Sequence, residues 1–394
     1  MLESATATRG AAMSSAKPGY QRDFLTPAGS FYEVTRGKPY LLDAEARKKA
    51  GLTPETWRLE VVPDEPPWRP TLARTFRKDD GTALSMSDLE DLFRERPVRC
   101  IKTMQCLMDS PSGGLCSNGL WEGVALRDVI ARLGRLKDVR RVFYTGFHED
   151  PKHRFASSLS LSEVLETPPG HTPVFLALRL NGRPLPIERG GPVRMLVPEG
   201  YGFKSIKWLD RIVLTNDHRA NDTYAERQNN DPSSPMKTLA RPDIHAPLSY
   251  RHGEPVTMRG VAVVGASGLK RVEYWLRKDT GTHGVLDPDD PAWATAEWKE
   301  ASLPSGPPKG WAMILPGGRF PEGVARLDPA TGRPLAWPLP FSWAAWEVKL
   351  VGLEAWGYEF RVRAVDLNGF AQPEPRPNPQ SGIAEVPCVT FTVA

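Results

Sequence analysis

Proline and glycine occur unusually often in this chain, and they constrain its fold more than any other sequence feature. The 394 residues include 39 prolines and 34 glycines, which fall between short apolar runs. Because both residues interrupt helices and favour turns, the pattern indicates many short strands joined by ordered loops. It predicts a sheet-rich fold and excludes a bundle of long helices.

Composition and charge narrow the functional classes. Hydrophobic residues make up 40% of the chain, yet no apolar run approaches the ~20 residues that a membrane-spanning helix needs. We therefore expect a globular protein that does not insert into a membrane. The net charge of +4 comes from 51 basic and 47 acidic residues spread along the chain. Without a basic block, the sequence gives no support to nucleic-acid binding.

The cysteines and the amino-terminal segment bear on redox chemistry and location. Four cysteines, Cys100, Cys106, Cys116 and Cys388, are too few for a disulfide scaffold and show no CxxC spacing. Residues 1–27 read as a surface arm that lacks an apolar segment or a twin-arginine pair. No export signal is visible, so we expect a cytoplasmic protein, or a periplasmic one if a signal has been removed.

The length predicts two domains, and the hydrophobic patterns change near residue 243. Residues 28–243 mix helices and strands without regular βαβ alternation, which indicates an α+β domain and makes a doubly wound fold unlikely. The predicted helices are Leu42–Ala50, Asp88–Arg94 and Val124–Leu133, and the predicted strands are Trp57–Val62, Arg141–Tyr144, Val174–Leu180 and Val193–Val197.

Residues 244–394 show period-two alternation with almost no helical segment, which is typical of an immunoglobulin-like β-sandwich. Its predicted strands are Pro255–Val264, Lys270–Trp275, Trp346–Leu350 and Tyr358–Val365. The insert Gly281–Leu339 is rich in proline, glycine and tryptophan and predicts a long ordered loop or small subdomain. Part of its aromatic surface is expected to face another chain.

Few familiar catalytic patterns occur. No P-loop, HExxH, GxSxG or dinucleotide-binding GxGxxG motif occurs at a suitable strand-to-helix junction. His148 and His153 lie in a polar stretch that favours a solvated loop. Cys106 precedes a loop rich in Ser, Pro and Gly, and spacing alone favours a buried structural cysteine over a reactive one.

Three groups of residues nevertheless resemble the sulfite oxidase family of molybdenum enzymes. The first is Gln105-Cys106 followed by Asn118, Trp121, Gly123, Val124, Leu126 and Asp128. The second is 181–186 (NGRPLP) followed by Gly190, 192–194 (PVR), Pro198, Gly202 and 205–208 (SIKW). The third is 361–366 (RVRAVD) with Gly369 and 372–373 (QP), which resembles the last strands of the family's immunoglobulin-like dimerisation domain.

The resemblance implies a molybdenum-pyranopterin cofactor with Cys106 as the protein's thiolate ligand. A soft thiolate suits a sulfur-rich metal centre, and Cys116 is a minor alternative. The resemblance places Arg189, Arg194, Ser205 and Lys207 at the pterin and its phosphate. Thr35 and Ser158 are further cofactor-binding candidates, and Arg36 and Arg154 are candidates for the catalytic pocket.

The departures from the family concern the substrate. Where sulfite oxidases continue Ala-Gly-Asn-Arg-Arg after the cysteine, this chain has 107–111, LMDSP. Losing two arginines weakens capture of the sulfite dianion, although Lys152, His153, Arg154 or Arg36 could compensate. Sulfite or a related small oxyanion is the default substrate. The alternatives are reduction of an S- or N-oxide and a non-catalytic binding or assembly module.

The resemblance also sets expectations about partners. The expected reaction is oxygen-atom transfer at molybdenum on a small-molecule substrate. No haem or flavin motif occurs in the sequence, so electrons require an external carrier such as a cytochrome. The carboxy-terminal domain is expected to form a homodimer.

Overall fold

A computed structural model gives the fold of the chain. It describes residues 23–35, 37–109, 113–220, 222–223, 233–243, 248–281, 284, 286–287, 289–373, 382 and 384–394. No helix in these residues combines the length and the apolar character that crossing a bilayer demands.

Short strands dominate, as the density of proline and glycine predicts. The α-helices in the described residues are α1 Ala44–Lys49, α2 Met86–Glu95, α3 Leu126–Ala131, α4 Leu161–Leu165 and α5 Ala292–Thr295. The strands before residue 220 are β1 Arg58–Pro63, β2 Thr71–Leu72, β3 Leu84–Ser85, β4 Pro97–Gln105, β5 Cys116–Ala125, β6 Leu136–Lys137, β7 Arg141–Gly146, β8 Ala156–Ser160, β9 Phe175–Leu180, β10 Arg183–Pro184, β11 Arg194–Leu196 and β12 Leu209–Thr215. Those after residue 233 are β13 Leu239–Pro242, β14 Leu248–Tyr250, β15 Val256–Val263, β16 Arg271–Lys278, β17 Lys299–Glu300, β18 Trp343–Leu350, β19 Gly357–Val365 and β20 Cys388–Val393.

The amino-terminal part is built on two main sheets. One has the order β3-β1-β12-β7-β8 and is mixed, because β1 runs parallel to β12 while the other pairs are antiparallel. The other has the order β10-β9-β5-β4, with β11 also paired to β9. A small antiparallel pair joins β2 and β6. The predicted α+β mixture without regular βαβ alternation describes these layers.

The helix predicted over Val124–Leu133 starts later than its periodicity suggests. β5 continues to Ala125 because Gly123, Val124 and Ala125 pair with β9, and α3 begins at Leu126. Gly123 permits this close pairing, since a Cβ there would lie 1.8 Å from the Leu176 carbonyl oxygen. The prediction was therefore wrong for the first two positions, where pairing between strands overrides local pattern.

Capping residues fix the start of α2. The Ser85 hydroxyl accepts the Asp88 N–H, and the Asp88 carboxylate accepts the Ser85 N–H in return, which satisfies two donors at the helix start. The predicted helix Asp88–Arg94 lies inside this longer element. The predicted helix Leu42–Ala50 is, by contrast, longer than the observed α1, which begins after the Asp43 cap.

The carboxy-terminal strands form two sheets with a shared core. One sheet has the order β13-β15-β18 and the other β14-β20-β19-β16-β17. Side chains from both fill the space between them, and the Trp346 ring stacks near Phe360 at a centroid distance of 6.2 Å. The predicted sandwich architecture is present, whereas its immunoglobulin type stays a prediction. β13 precedes residue 243 in sequence yet pairs with β15.

Much of the insert Gly281–Leu339 packs against its own chain. Trp311 and Trp337 lie 5.2 and 5.7 Å from the Phe24 ring, centroid to centroid. Trp293 and Trp298 lie 6.1 and 5.9 Å from Trp275 of β16. These contacts cover part of each indole, and contact of this surface with another chain stays a prediction.

A further hydrophobic core joins the amino-terminal and carboxy-terminal parts of the chain. Its buried members include Ile101 and Leu120 from the β4–β5 hairpin and Val261 and Trp343 from the sandwich. Shared apolar burial of this kind fixes the hairpin that leads to Cys106 against the carboxy-terminal sheets.

Candidate active site

A deep cleft opens at the carboxyl end of β4. Its empty space, including the part open to solvent, is about 980 Å³. Its lining residues are Phe31, Tyr32, Val34, Thr35, Met104, Cys106, Leu107, Gly146, Phe147, His148, Phe155, Arg189, Arg194, Gly202, Phe203, Ser205, Ile206, Lys207 and Trp208. Cavities of this size accommodate small organic ligands.

Cys106 lies in this cleft, one residue beyond the end of β4. Its backbone N–H donates to the Leu115 carbonyl at 2.9 Å, and its own carbonyl accepts the Asp109 N–H at 3.2 Å. The side chain is half-buried and forms no disulfide. Burial raises the pKa of the thiol, and the Asp109 carboxylate adds to that rise. Without a metal, the thiol thus holds its proton more firmly than an exposed cysteine.

Three cations line one wall of the cleft. The Arg194 Nε donates to the Ser205 carbonyl at 2.8 Å and its Nη1 to the Arg189 carbonyl at 3.0 Å. The Arg189 Nε donates to the Ala28 carbonyl at 2.9 Å, while its buried Nη1 makes no hydrogen bond to any described residue. The Lys207 Nζ donates to the Glu188 carbonyl at 3.2 Å. These groups bring net positive charge to one side of the cleft.

Burial destabilises the charge on two of these groups. It lowers the pKa of Lys207 to about 7, with Arg194 the next cause, and lowers the pKa of Arg194 to about 10. An anion bound at this wall would reverse both shifts, since a buried cation without a counter-charge is unfavourable. The electrostatics therefore suit an anionic ligand.

Much of the remaining lining of the cleft is aromatic. Phe31, Phe147, Phe155 and Phe203 lie there with Tyr32. Burial, followed by the nearby Cys106 thiolate, raises the pKa of Tyr32 well above its ordinary value, so the phenol keeps its proton. A Cβ at position 202 would lie 2.5 Å from the Tyr32 hydroxyl oxygen. Glycine at this position thus leaves the space that the phenol occupies.

The structure brings six of the predicted site residues together at the cleft: Thr35, Cys106, Arg189, Arg194, Ser205 and Lys207. The Ser205 hydroxyl accepts the Val197 N–H at 3.1 Å, and the Thr35 hydroxyl donates to the Gly37 carbonyl at 3.3 Å. Arg36 lies outside the described residues.

Two predicted residues do not line the cleft. Arg154 is paired with Asp210, with its Nη2 3.0 Å from the carboxylate Oδ2. Ser158 is buried behind the cleft, where its hydroxyl accepts from Arg141 Nη2 at 3.0 Å and its carbonyl accepts from Lys204 Nζ at 3.0 Å. Lys204 in turn pairs with buried Asp222 at 3.2 Å. Ser158 thus belongs to a buried ionic network.

Several cleft residues were missed by the sequence reasoning. His148, which the sequence assigned to a solvated loop, is half-buried and lines the cleft. Its Nδ1 accepts the Asp150 N–H at 3.0 Å, so the neutral ring carries its proton on Nε2. His153 is exposed and bonded to Asp150, as a solvated loop predicts. The alternating polar and aromatic residues around Gly146 were the available signal for this strand end.

Comparison with known proteins identifies the domain. Residues 52–223 match the family model of the oxidoreductase molybdopterin binding domain. Mitochondrial sulfite oxidase of Drosophila melanogaster is 27% identical over 285 residues, which is 66% of this chain and 47% of the relative. The human mitochondrial sulfite oxidase is 26% identical, over 67% of this chain and 49% of the relative. The chain thus spans about half the length of these curated relatives.

Other relatives extend the comparison. The nitrate reductase [NADPH] of Fusarium oxysporum is 31% identical over 34% of this chain and 15% of its own length. Among solved structures, the sulfane dehydrogenase SoxCD from Paracoccus pantotrophus matches with a TM-score of 0.59 at 17% identity, covering 89% of this chain and 75% of that one. At this identity the structural likeness shows the fold alone.

The matched domain defines the class, an oxidoreductase with a molybdopterin-binding domain. Beyond that domain, the chain is similar to sulfite oxidases at 26–27% identity over about two thirds of its length. The resemblance stated from the sequence motifs is thereby confirmed.

The residues at the cleft fit an anionic pterin that carries a metal with sulfur ligands. The buried Arg189 Nη1 offers a donor without a hydrogen-bond partner among the described residues, and Arg194 and Lys207 lie on the same wall. Cys106 provides a soft donor in the same space. Within the described residues no group of three or more His, Cys, Asp or Glu side chains is placed to hold a metal ion.

Proposed function

We propose that the chain is an oxygen-atom-transfer enzyme in which the Cys106 thiolate ligates the molybdenum of a pterin cofactor. The observation that carries the proposal is the presence of Cys106, Arg189, Arg194 and Lys207 in one cleft. Thiolate and guanidinium groups suit, respectively, the metal and the anionic tail of such a cofactor.

The chain's own residues would hold and orient the cofactor. The Arg189 Nη1 makes no hydrogen bond to the described residues and lies 3.9 Å from Glu33 Oε2. Arg194 is fixed by two backbone carbonyls, and Lys207 would be stabilised as a cation by the bound anion. When bound, the cofactor supplies two-electron oxygen-atom transfer. Tyr32 keeps a proton on its hydroxyl, and His148 holds one on Nε2, so two proton donors line the cleft.

A small oxyanion such as sulfite is the first substrate candidate. The named relatives include sulfite oxidases, and the cleft carries positive charge at Arg189, Arg194 and Lys207. Once the cofactor takes up that charge, less of it is left for a substrate dianion. Arg154 is paired with Asp210 away from the cleft, and Lys152 and His153 are exposed.

The aromatic residues that line the cleft favour a second substrate candidate, an uncharged S- or N-oxide. Next to Cys106 the loop contributes Leu107 to the cleft, while the Asp109 carboxylate is buried elsewhere. Phe147 and Phe155 extend the apolar surface. An organic oxide would bury apolar groups there without requiring a site for two negative charges.

The remaining expectations about partners complete the proposal. Electrons would pass to or from an external carrier such as a cytochrome, and the carboxy-terminal sandwich would form a homodimer. The rival function is a binding or assembly module in which Cys106 is merely a packed thiol.

X-ray absorption at the molybdenum edge tests the proposal on protein purified after expression with the cofactor. About three sulfur neighbours are expected in the wild type, and Cys106→Ser should lose one of them and the activity. Cys116→Ser is the matched control, since Cys116 is buried in β5, and it should keep the full sulfur shell. Absence of molybdenum from the wild type would support the binding module instead.

Steady-state assays separate the two substrate candidates. Sulfite with an artificial electron acceptor, and dimethyl sulfoxide and trimethylamine N-oxide with an artificial donor, should be compared in the same preparation. Sulfite turnover that Cys106→Ser abolishes supports the oxyanion. Turnover of the organic oxides alone supports the second candidate.

A further inference from the structure

Asp109 lies three residues beyond Cys106 and is fully buried. Its N–H donates to the Cys106 carbonyl at 3.2 Å. One carboxylate oxygen accepts the Leu115 N–H at 3.0 Å, and the other accepts from Gln105 Nε2 at 3.3 Å. A single carboxylate therefore binds both ends of the loop that carries Cys106.

The buried carboxylate is paired with the guanidinium of Arg241, which belongs to the carboxy-terminal sheets. The Arg241 Nε lies 3.8 Å from Asp109 Oδ2, and its Nη2 donates to the Asp109 carbonyl at 3.3 Å. Both side chains are almost completely buried. A buried carboxylate is tolerated when a cation and hydrogen bonds surround it, and this pair meets both conditions.

Arg241 is itself fixed in the sandwich. It lies on β13, which pairs with β15, and its Nη1 donates to the Glu385 carbonyl at 3.1 Å. Gln372 donates to the same carbonyl at 2.7 Å and accepts the Ala240 N–H at 2.8 Å. The guanidinium therefore has little freedom to follow a moving loop.

We propose that Arg241 is a positioning residue, which holds the Cys106 loop in place through the buried Asp109 carboxylate. The β-sandwich thereby contributes to the site without touching the cleft. The functional part of this inference rests on the proposed role of Cys106 as a metal ligand, whereas the mechanical link between Arg241 and the loop does not.

Hydrogen–deuterium exchange of the cofactor-free chain tests the link. Arg241→Met removes a cation that lies 3.8 Å from the Asp109 carboxylate. The amides of residues 105–109 and 113–116, followed in one peptide, should therefore exchange at least about ten times faster than in the wild type. Arg241→Lys keeps the charge but has fewer directed donors, so the peptide should exchange more slowly than in Arg241→Met. Arg259→Met, which removes an exposed arginine paired with Glu347 on the same sheet, is the matched control and should change nothing in this peptide.

A double variant separates charge pairing from general loosening. Asp109→Asn combined with Arg241→Met removes both charges, and the Gln105 Oε1, which has no hydrogen-bond partner among the described residues, can accept from the new amide. Exchange should therefore return to within about threefold of wild type. The proposal is overturned if Arg241→Met leaves the peptide unchanged, if β15 and β18 loosen equally, or if the lysine and double variants exchange as fast as Arg241→Met.

The Mo(V) electron paramagnetic resonance spectrum supplies the functional readout. In loaded protein, Arg241→Met should shift the spectrum while Arg259→Met should not. An unshifted spectrum would overturn the positioning role even where the exchange result supports the link. A wild type that carries no molybdenum refutes the proposed function, and the exchange data still decide the link.

Discussion

At the scale of single residues, several buried groups carry a charge that is unfavourable where they lie. Lys102 is an example outside the cleft: it is fully buried, and its Nζ donates to the Gly200 carbonyl at 2.8 Å. Burial lowers the pKa of Lys102 to about 7. At neutral pH and below, the fold thus contains a buried ammonium group whose charge disfavours the folded state.

The pH dependence of stability follows from this shift. Between pH 7 and the unfolded pKa near 10.5, the unfolded chain holds the Lys102 proton and the folded chain releases it, so the free energy of unfolding rises with pH. From pH 7 to 8.5, Lys102→Met should reduce this slope by about 1 kcal/mol per pH unit in urea titrations of the cofactor-free chain. Lys349→Met, at an exposed position, should leave the slope unchanged.

Local motifs, interpreted through the resemblance to a known family, predicted the thiol and all three cations of the cleft. Gln105-Cys106 and the residues from Arg189 to Lys207 are local motifs, so their spacing is readable without a structure. Asp109 and Arg241 are 132 residues apart, and nothing in either segment signals that their charges meet. Likewise, His148 was assigned to solvent because the chain around it is polar, and only tertiary packing turns it to the cleft.

At the scale of elements, β5 lies between β4 and β9 in its sheet. The periodicity of 124–133 fits a helix throughout, but the first two residues extend β5 because pairing with β9 satisfies their backbone. Local pattern therefore predicted which elements exist better than where they end.

Gly123 offers a sharp test of that packing. Gly123→Ala would drive a Cβ against the Leu176 carbonyl and should lower the free energy of unfolding by about 3 kcal/mol or more. Gly29→Ala is the matched control, because no atom lies within 4 Å of its Cβ position, and it should change stability by less than about 0.5 kcal/mol. Equal stability of the two variants in denaturant titrations would contradict the close approach of β5 and β9.

At the scale of the whole molecule, the amino-terminal segment is tied to strands from both parts of the chain. The Phe24 carbonyl accepts from Trp343 Nε1 at 3.0 Å and from Asn118 Nδ2 at 2.9 Å. The Asn118 carbonyl accepts the Thr26 N–H at 2.7 Å. The segment predicted as a surface arm to residue 27 is therefore buried at its end, from Phe24 onward.

Trp343 tests the cohesion of the two parts. Trp343→Ala should cost about 3–5 kcal/mol of unfolding free energy, since it removes a buried indole and leaves the Phe24 carbonyl with one donor fewer. Trp356→Ala removes an exposed indole and should cost less than about 1 kcal/mol. Separate unfolding transitions in the wild type would show that the two parts are not coupled in this way.

The contact between Phe24 and Trp343 orders events during synthesis. Phe31 and Tyr32 line the cleft and follow soon after Phe24. The Phe24 carbonyl accepts a hydrogen bond from Trp343, which lies 319 residues later in the chain. This hydrogen bond cannot form on the ribosome until Trp343, the first residue of β18, has been synthesised. The segment that leads into the cleft therefore reaches its final packing only after β1 to β17 have been made.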